Sequence, residues 1–289
     1  MDDICGKFVV LRKHLSDELN KEAEFGLEEI TDYKDYCPKE DCDTELEKNT
    51  IGFLWLLGHC FYALKNKSNI DTNAFFIYII SWISYKLKQF TNENFTTIND
   101  FFTNSVIGNV KYSKFTSQAF KISDLGEYMK ERNDLMNINI EDMSKLYDAF
   151  KLLCNMYSEV ATNKDDNTVL DNANRFVQKY KELTNYYNIE DTPRSQILST
   201  LLTDYNNLKI KCKGCTSLPD ITNISALASV DTSSSSSIGK RLFAVLSIFG
   251  AIAFFLGISY KYSLFGFRKR AQKQYLREKI KKIKKKMNH

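Results

Sequence analysis

Seven cysteines and three histidines are the residues here best suited to bond-making chemistry. Thiolates and imidazoles ligate metals and act as nucleophiles and bases. The histidines, His14, His59 and His289, share no metal-ligand spacing and flank no nucleophile motif. His14 falls on a charged helix face and His59 in an apolar run, where a satisfied core histidine is expected. No GxGxxG, P-loop or GxSxG occurs. The chain therefore does not read as an enzyme, and no catalytic, cofactor-binding or metal-binding residue is assigned.

What remains is oxidative. The cysteines are Cys5, Cys37, Cys42, Cys60, Cys154, Cys212 and Cys215, an odd number that leaves at least one without an intramolecular partner. Cys37-x4-Cys42 and Cys212-x2-Cys215 flank turn-like sequence and, with Cys5, are the candidates for disulfides. The pairing is open. Cys60 and Cys154 sit on apolar helical stretches and are candidate buried free thiols. A four-cysteine zinc site from the two close pairs is the competing chemistry. Reactive-thiol and zinc counts separate the two.

All seven cysteines precede an uncharged run, Leu242 to Tyr260. At 1.5 Å per residue its 19 residues reach roughly 28 Å, close to the hydrocarbon thickness of a bilayer. Leu242 and Tyr260 are taken as the ends of a single transmembrane helix. The runs Gly52–Leu64 and Ala74–Tyr85 are too short to span and read as core helices. From Lys261 onward there are 12 Lys and Arg against one acid, Glu278. That excess marks the tail as cytoplasmic and puts the large N-terminal part outside, where cysteines oxidise. No cleavable signal peptide is visible near the N-terminus. A tail-anchored protein with a cytosolic domain is the alternative topology, and protease protection in intact membranes decides.

The basic residues are concentrated in the tail. Residues 1–239 hold 26 basic and 35 acidic side chains, so the large domain is mildly acidic and nucleic acid is not an expected partner. Leu276, Ile280, Ile283 and Met287 share one face of a candidate tail helix. Arg268, Lys269, Arg270, Lys273, Arg277, Lys281 and Lys282 are placed to face anionic lipid. A solvated positive-inside signal explains the same charges. Small residues in the span, Ala253-x3-Gly257 and Ser247-x3-Ala251, also permit helix pairing in the bilayer.

The N-terminal part reads as all-α. Phe8, Leu11, Leu15 and Leu19 form a stripe. Ile51–Leu64 is apolar nearly all round and predicts a central helix. Asp71, Thr72 or Asn73 can cap the next, Ala74–Gln89, for which a buried strand is the competing prediction. A shorter helix covers Ile98 to Val106, followed by irregular sequence. Helical spacing returns from Ile140 to Val160, from Leu170 to Tyr187 and from Ile197 to Leu208, with Pro193 suited to a first turn. The expected architecture is a multi-helix ectodomain bundle with cysteines over residues 1–215. A flexible Ser/Thr-rich stalk follows at 216–239, then the transmembrane helix at 240–262 and a basic amphipathic cytoplasmic tail at 263–289. Thr91–Thr97, Asn104–Ser123 and Thr162–Thr168 are the candidate exposed loops.

Several segments together resemble a known family. They are CGKF at Cys5, YKDYCP-x3-C from Tyr33 to Cys42, GFLWLLGHCFYAL from Gly52, FFIYIISWISYKL from Phe75, and KLYDAFKLLCNMY from Lys145. Followed by stalk, span and basic tail, they look like the Plasmodium interspersed repeat (PIR) proteins of rodent malaria parasites. The resemblance implies a variant multigene antigen of blood-stage parasites at the parasite or infected red-cell membrane. It also implies roles in antigenic variation, immune evasion or adhesion, with a host-cell or immune receptor as partner beside the lipid bilayer. The competing function is a structural or signalling membrane protein acting through its basic tail.

Overall fold

The computed structural model describes residues 1–18, 21–90, 95–107, 109–113, 115, 127–162, 166–186, 192–212 and 218–221. The expected span from Leu242 to Tyr260, the tail and Leu19 lie outside these residues. Among the described residues no helix is long and apolar enough to cross a membrane. Met1–Ile221 forms one compact unit.

Six long helices build it: α1 (Asp2–His14), α2 (Glu45–Lys65), α3 (Thr72–Leu87), α4 (Ile140–Ala161), α5 (Asp166–Tyr186) and α6 (Thr192–Lys211). Among the described residues there is no strand, only an isolated bridge between Thr97 and Asn139. Helix starts are written locally. Thr44 Oγ1 accepts from the Glu47 amide while Glu47 Oε2 accepts from the Thr44 amide, a reciprocal capping box. Asp71 takes the cap of α3, accepting from the amides of Asn73 and Ala74, each at 3.0 Å. Asn139 caps α4.

α3 explains the helix–strand ambiguity. Every residue from Ala74 to Ser84 is buried, so it shows no polar face from which a period could be read. It is enclosed by α2 on one side and α4 on the other. α4 is the hub, packing against α1, α3, α5 and α6. The core between α1, α3 and α4 is aromatic. Phe150 stacks on Tyr78 with centroids 4.0 Å apart and meets Phe8 edge-on at 4.7 Å. Each such ring buries about 1.5–3 kcal/mol of apolar transfer energy, with about 0.5–1.5 kcal/mol more per well-placed pair.

Two stretches differ from expectation. The helix at Ile98 gives way at Phe102 to a π-helical turn, Phe102–Val106. The segment from Asn104 is not a free loop: Val106, Tyr112 and Phe115 are buried, and Lys111 pairs with Asp41 and Glu47. Ile107 and Val110 do stay exposed. The compact unit also runs past the boundary drawn at Cys215. Leu218 and Ile221 are buried, and the Tyr205 hydroxyl donates to the Pro219 carbonyl at 2.8 Å. Apolar residues spaced through a Ser/Thr-rich stretch carry too little pattern to show that they dock.

Candidate functional site

The helices share two ends. At one, the end of α3 meets the start of α4 through Lys88 and Glu141, 3.7 Å apart. The end of α5 and the start of α6 join there, because Asp142 accepts from Tyr186 at 2.8 Å and from Arg194 at 3.0 Å. At the opposite end, α6 finishes beside the start of α1, with Lys211 paired to Asp2. In the last third of α6, the Tyr205 hydroxyl also donates to the Pro219 carbonyl.

The first end holds a polar cleft of about 510 Å³, lined by Glu18, Tyr85, Lys88, Gln89, Ser144, Lys145 and Asp148. Its floor is the chain segment after α1. Buried Asp17 accepts from the Tyr147 hydroxyl at 2.8 Å and lies 3.4 Å from Lys151 and 3.9 Å from Arg12. Lys86 donates to the Ser16 carbonyl at 2.6 Å, and Gln89 donates to the Asp17 carbonyl at 3.1 Å. These bonds pin residues 15–18 across α3 and α4. Burial pulls the Lys86 ammonium pKa down, while Asp17 opposes the shift. Burial pushes the Tyr147 phenol well up, and Asp17 adds to it.

The groups around the cleft are held by hydrogen bonds, ion pairs and burial. Burial raises the Tyr85 phenol, with Asp17 and Asp148 adding to it, so it stays protonated at physiological pH. The Ser144 hydroxyl is committed to the Glu141 carbonyl at 2.7 Å. Burial alone would raise the Asp142 carboxyl, but Tyr186, Arg194 and Lys145 overcome it and hold the pKa low. Lys145 also lies over the Tyr186 ring at 3.5 Å. No nucleophile in this set faces a base. A smaller cleft of about 270 Å³ lies between α2 and Glu127–Glu131, lined by Phe61, Leu64, Lys65, Glu127, Tyr128 and Glu131. None of the residues lining the larger cleft was legible beforehand. The one trace is that Tyr85, Lys86, Lys88 and Gln89 interrupt an otherwise apolar run.

The cysteines sort differently from expectation at one position. Cys5 is bonded to Cys154, joining α1 to α4 across 149 residues of sequence. Cys154 is therefore not a free thiol. Burial on an apolar face suits a thiol and a disulfide sulfur equally, so its setting could not tell them apart. Cys37 is bonded to Cys42. Cys212 is also oxidised, and its partner and Cys215 lie outside the described residues. Cys60 is free and buried, beside the Thr72 carbonyl and the Tyr128 hydroxyl. Burial pushes its thiol up to about 12. Cys37, Asp41 and Cys42 lie within ligand distance of one another, but the two sulfurs are bonded together and offer no thiolate. The zinc alternative thus loses three of its four ligands, since Cys212 is oxidised as well. His59 sits edge-on to Trp55, and burial, with Lys7 nearby, lowers its imidazole to about 4. His14 bonds the Gly26 carbonyl at 2.7 Å.

Comparison with known proteins turns this architecture into a family assignment. The profile described as Plasmodium variant antigen protein Cir/Yir/Bir matches residues 5–261. The chain belongs to this family. A solved structure, that of a Plasmodium PIR protein ectodomain, is 31% identical to it with a TM-score of 0.54. The match covers 75% of this chain and 95% of that one. No match was found among the curated proteins. The Cir/Yir/Bir proteins are variant antigens, not a known family of enzymes.

Proposed function

We propose that this Cir/Yir/Bir protein is a surface antigen whose helical unit stands outside the membrane and meets host receptors or antibodies with its cleft-bearing end. The observation that carries this reading is the separation of the two ends. The cleft and the α3-to-α4 and α5-to-α6 junctions gather at one end of the unit, and the start of α1 and the end of α6 meet at the other. α4, which joins the ends, is about 33 Å long. Antigenic variation, immune evasion and adhesion all act on such a face, since loops carried on a rigid scaffold tolerate change without loss of the core. In this reading the basic tail from Arg268 lies in the cytoplasm against anionic lipid.

The test has two parts. Antibodies to the unit are applied to infected cells with and without permeabilisation, and labelling of intact cells is expected. Labelling only after permeabilisation would reject the topology. Separately, the chain with Lys88→Glu and Lys145→Glu is compared with wild type for binding to red cells, endothelium and immune receptors. Binding by the wild type that these changes leave intact would move the contact away from the cleft.

A further inference from the structure

α1 commits one side to the core and leaves the other bare. Ile4, Cys5, Phe8 and Leu11 are buried, while Asp2, Asp3, Gly6, Val9, Val10 and Lys13 are exposed. At 3.6 residues per turn those six exposed positions fall in one stripe about 120° wide. Val9 and Val10 are each 41% exposed. Gly6 lies near the middle, and a Cβ there would meet no atom within 4 Å, so the stripe has an open socket. The acids lie at its start and Lys13 at its end, and Asp3 and Lys13 are about 15 Å apart along the axis. Turned end for end, the stripe complements itself.

We infer that this face of α1 pairs with the same face of a second copy, antiparallel and two-fold symmetric. Lys13 of each copy then approaches Asp3 of the other, Val10 enters the Gly6 socket, and Val9 of each copy flanks the two-fold axis at position 8. A parallel pair would set acid on acid and lysine on lysine. Asp2 is held by Lys211, which leaves Asp3 as the acid open to a second copy. Asp3 has no ion pair among the described residues, and the Lys13–Glu24 pair is long, at 3.8 Å, with both side chains about half exposed. One helix face is well below the roughly 800 Å² per partner of a standard interface, so the pairing is weak and concentration-dependent.

Charge exchange tests this directly. The full chain in detergent micelles is followed by sedimentation velocity over a concentration series. Wild type is expected to dimerise as concentration rises, and D3K and K13D each to stay monomeric. An equal mixture of D3K and K13D regains the dimer, because position 13 of each chain again faces the opposite charge at position 3 of the other. The double variant D3K/K13D regains it too. A wild type that is monomeric throughout, or a dimer indifferent to D3K and K13D, overturns the inference. Val9→Cys adds an independent readout: mild oxidation should link two copies through position 9, and D3K in the same chain should abolish the link.

Discussion

Two glycines in helices face opposite surroundings, and their substitution should move stability in opposite directions. A Cβ at Gly52 would lie 2.8 Å from the Trp82 ring and 3.1 Å from Leu15, where α2 crosses α3 and the end of α1. Gly52→Ala must push the indole aside in a packed core, at a cost of about 1–3 kcal/mol. At Gly6 the space is open, and alanine should add about 0.5–1 kcal/mol by stiffening the unfolded chain and favouring helix. Thermal melts of the two variants against wild type check both signs. Cys60 gives a second residue-scale outcome. With its thiol buried and pushed up to about 12, an alkylating reagent near pH 8 should leave it unlabelled in the folded protein and label it after denaturation. Rapid native labelling at Cys60 would show that the α2–α3 turn opens readily.

At the scale of elements, Cys5–Cys154 and Cys37–Cys42 are expected to differ in worth because they close loops of very different length. The first bridges 149 residues and the second 5. By chain entropy, the first stabilises by about 5 kcal/mol and the second by about 2 kcal/mol. Cys5→Ala with Cys154→Ala should therefore lower the melting temperature well beyond Cys37→Ala with Cys42→Ala. Equal losses would mean that the denatured state already holds α1 near α4. Legibility followed the same division between local and distant. Helices α2, α4, α5 and α6 could be read from apolar spacing and caps, because both depend on residues within a few positions. Asp71 as a cap and Pro193 in the first turn of α6 belong to this class. The partner of Cys5 could not be read, since it depends on how two helices lie side by side. The cleft was hidden for the same reason: Glu18, Tyr85 and Asp148 come together only when three elements converge.

For the whole molecule, stability against pH between about 4 and 6 is set by buried Asp204 and half-buried His59, which pull in opposite directions. Asp204 is buried beneath Tyr78, whose hydroxyl donates to it at 2.5 Å, and the Tyr157 hydroxyl donates to its backbone carbonyl. Burial raises its carboxyl to about 6; the Tyr78 bond and the N-terminal ammonium oppose the rise, and Asp71 adds to it. A carboxyl raised above its unfolded value binds a proton in the folded state first. Its contribution therefore grows as pH falls from about 6 towards 4, by about 2–3 kcal/mol at most. His59 does the reverse. Its imidazole is lowered to about 4, so the unfolded chain takes up the proton first and stability is lost as pH falls from about 6.5 towards 4. In wild type the two largely offset. Asp204→Asn keeps an acceptor for Tyr78 but removes the titration, so its melting temperature relative to wild type should fall as pH goes from 7 to 4.5. His59→Gln removes the opposing group, and its melting temperature relative to wild type should rise over the same interval. The double variant should track wild type, because each substitution removes one of two opposed slopes and the sites lie on different helices. Two single variants with parallel pH profiles would show that neither group governs the acid response.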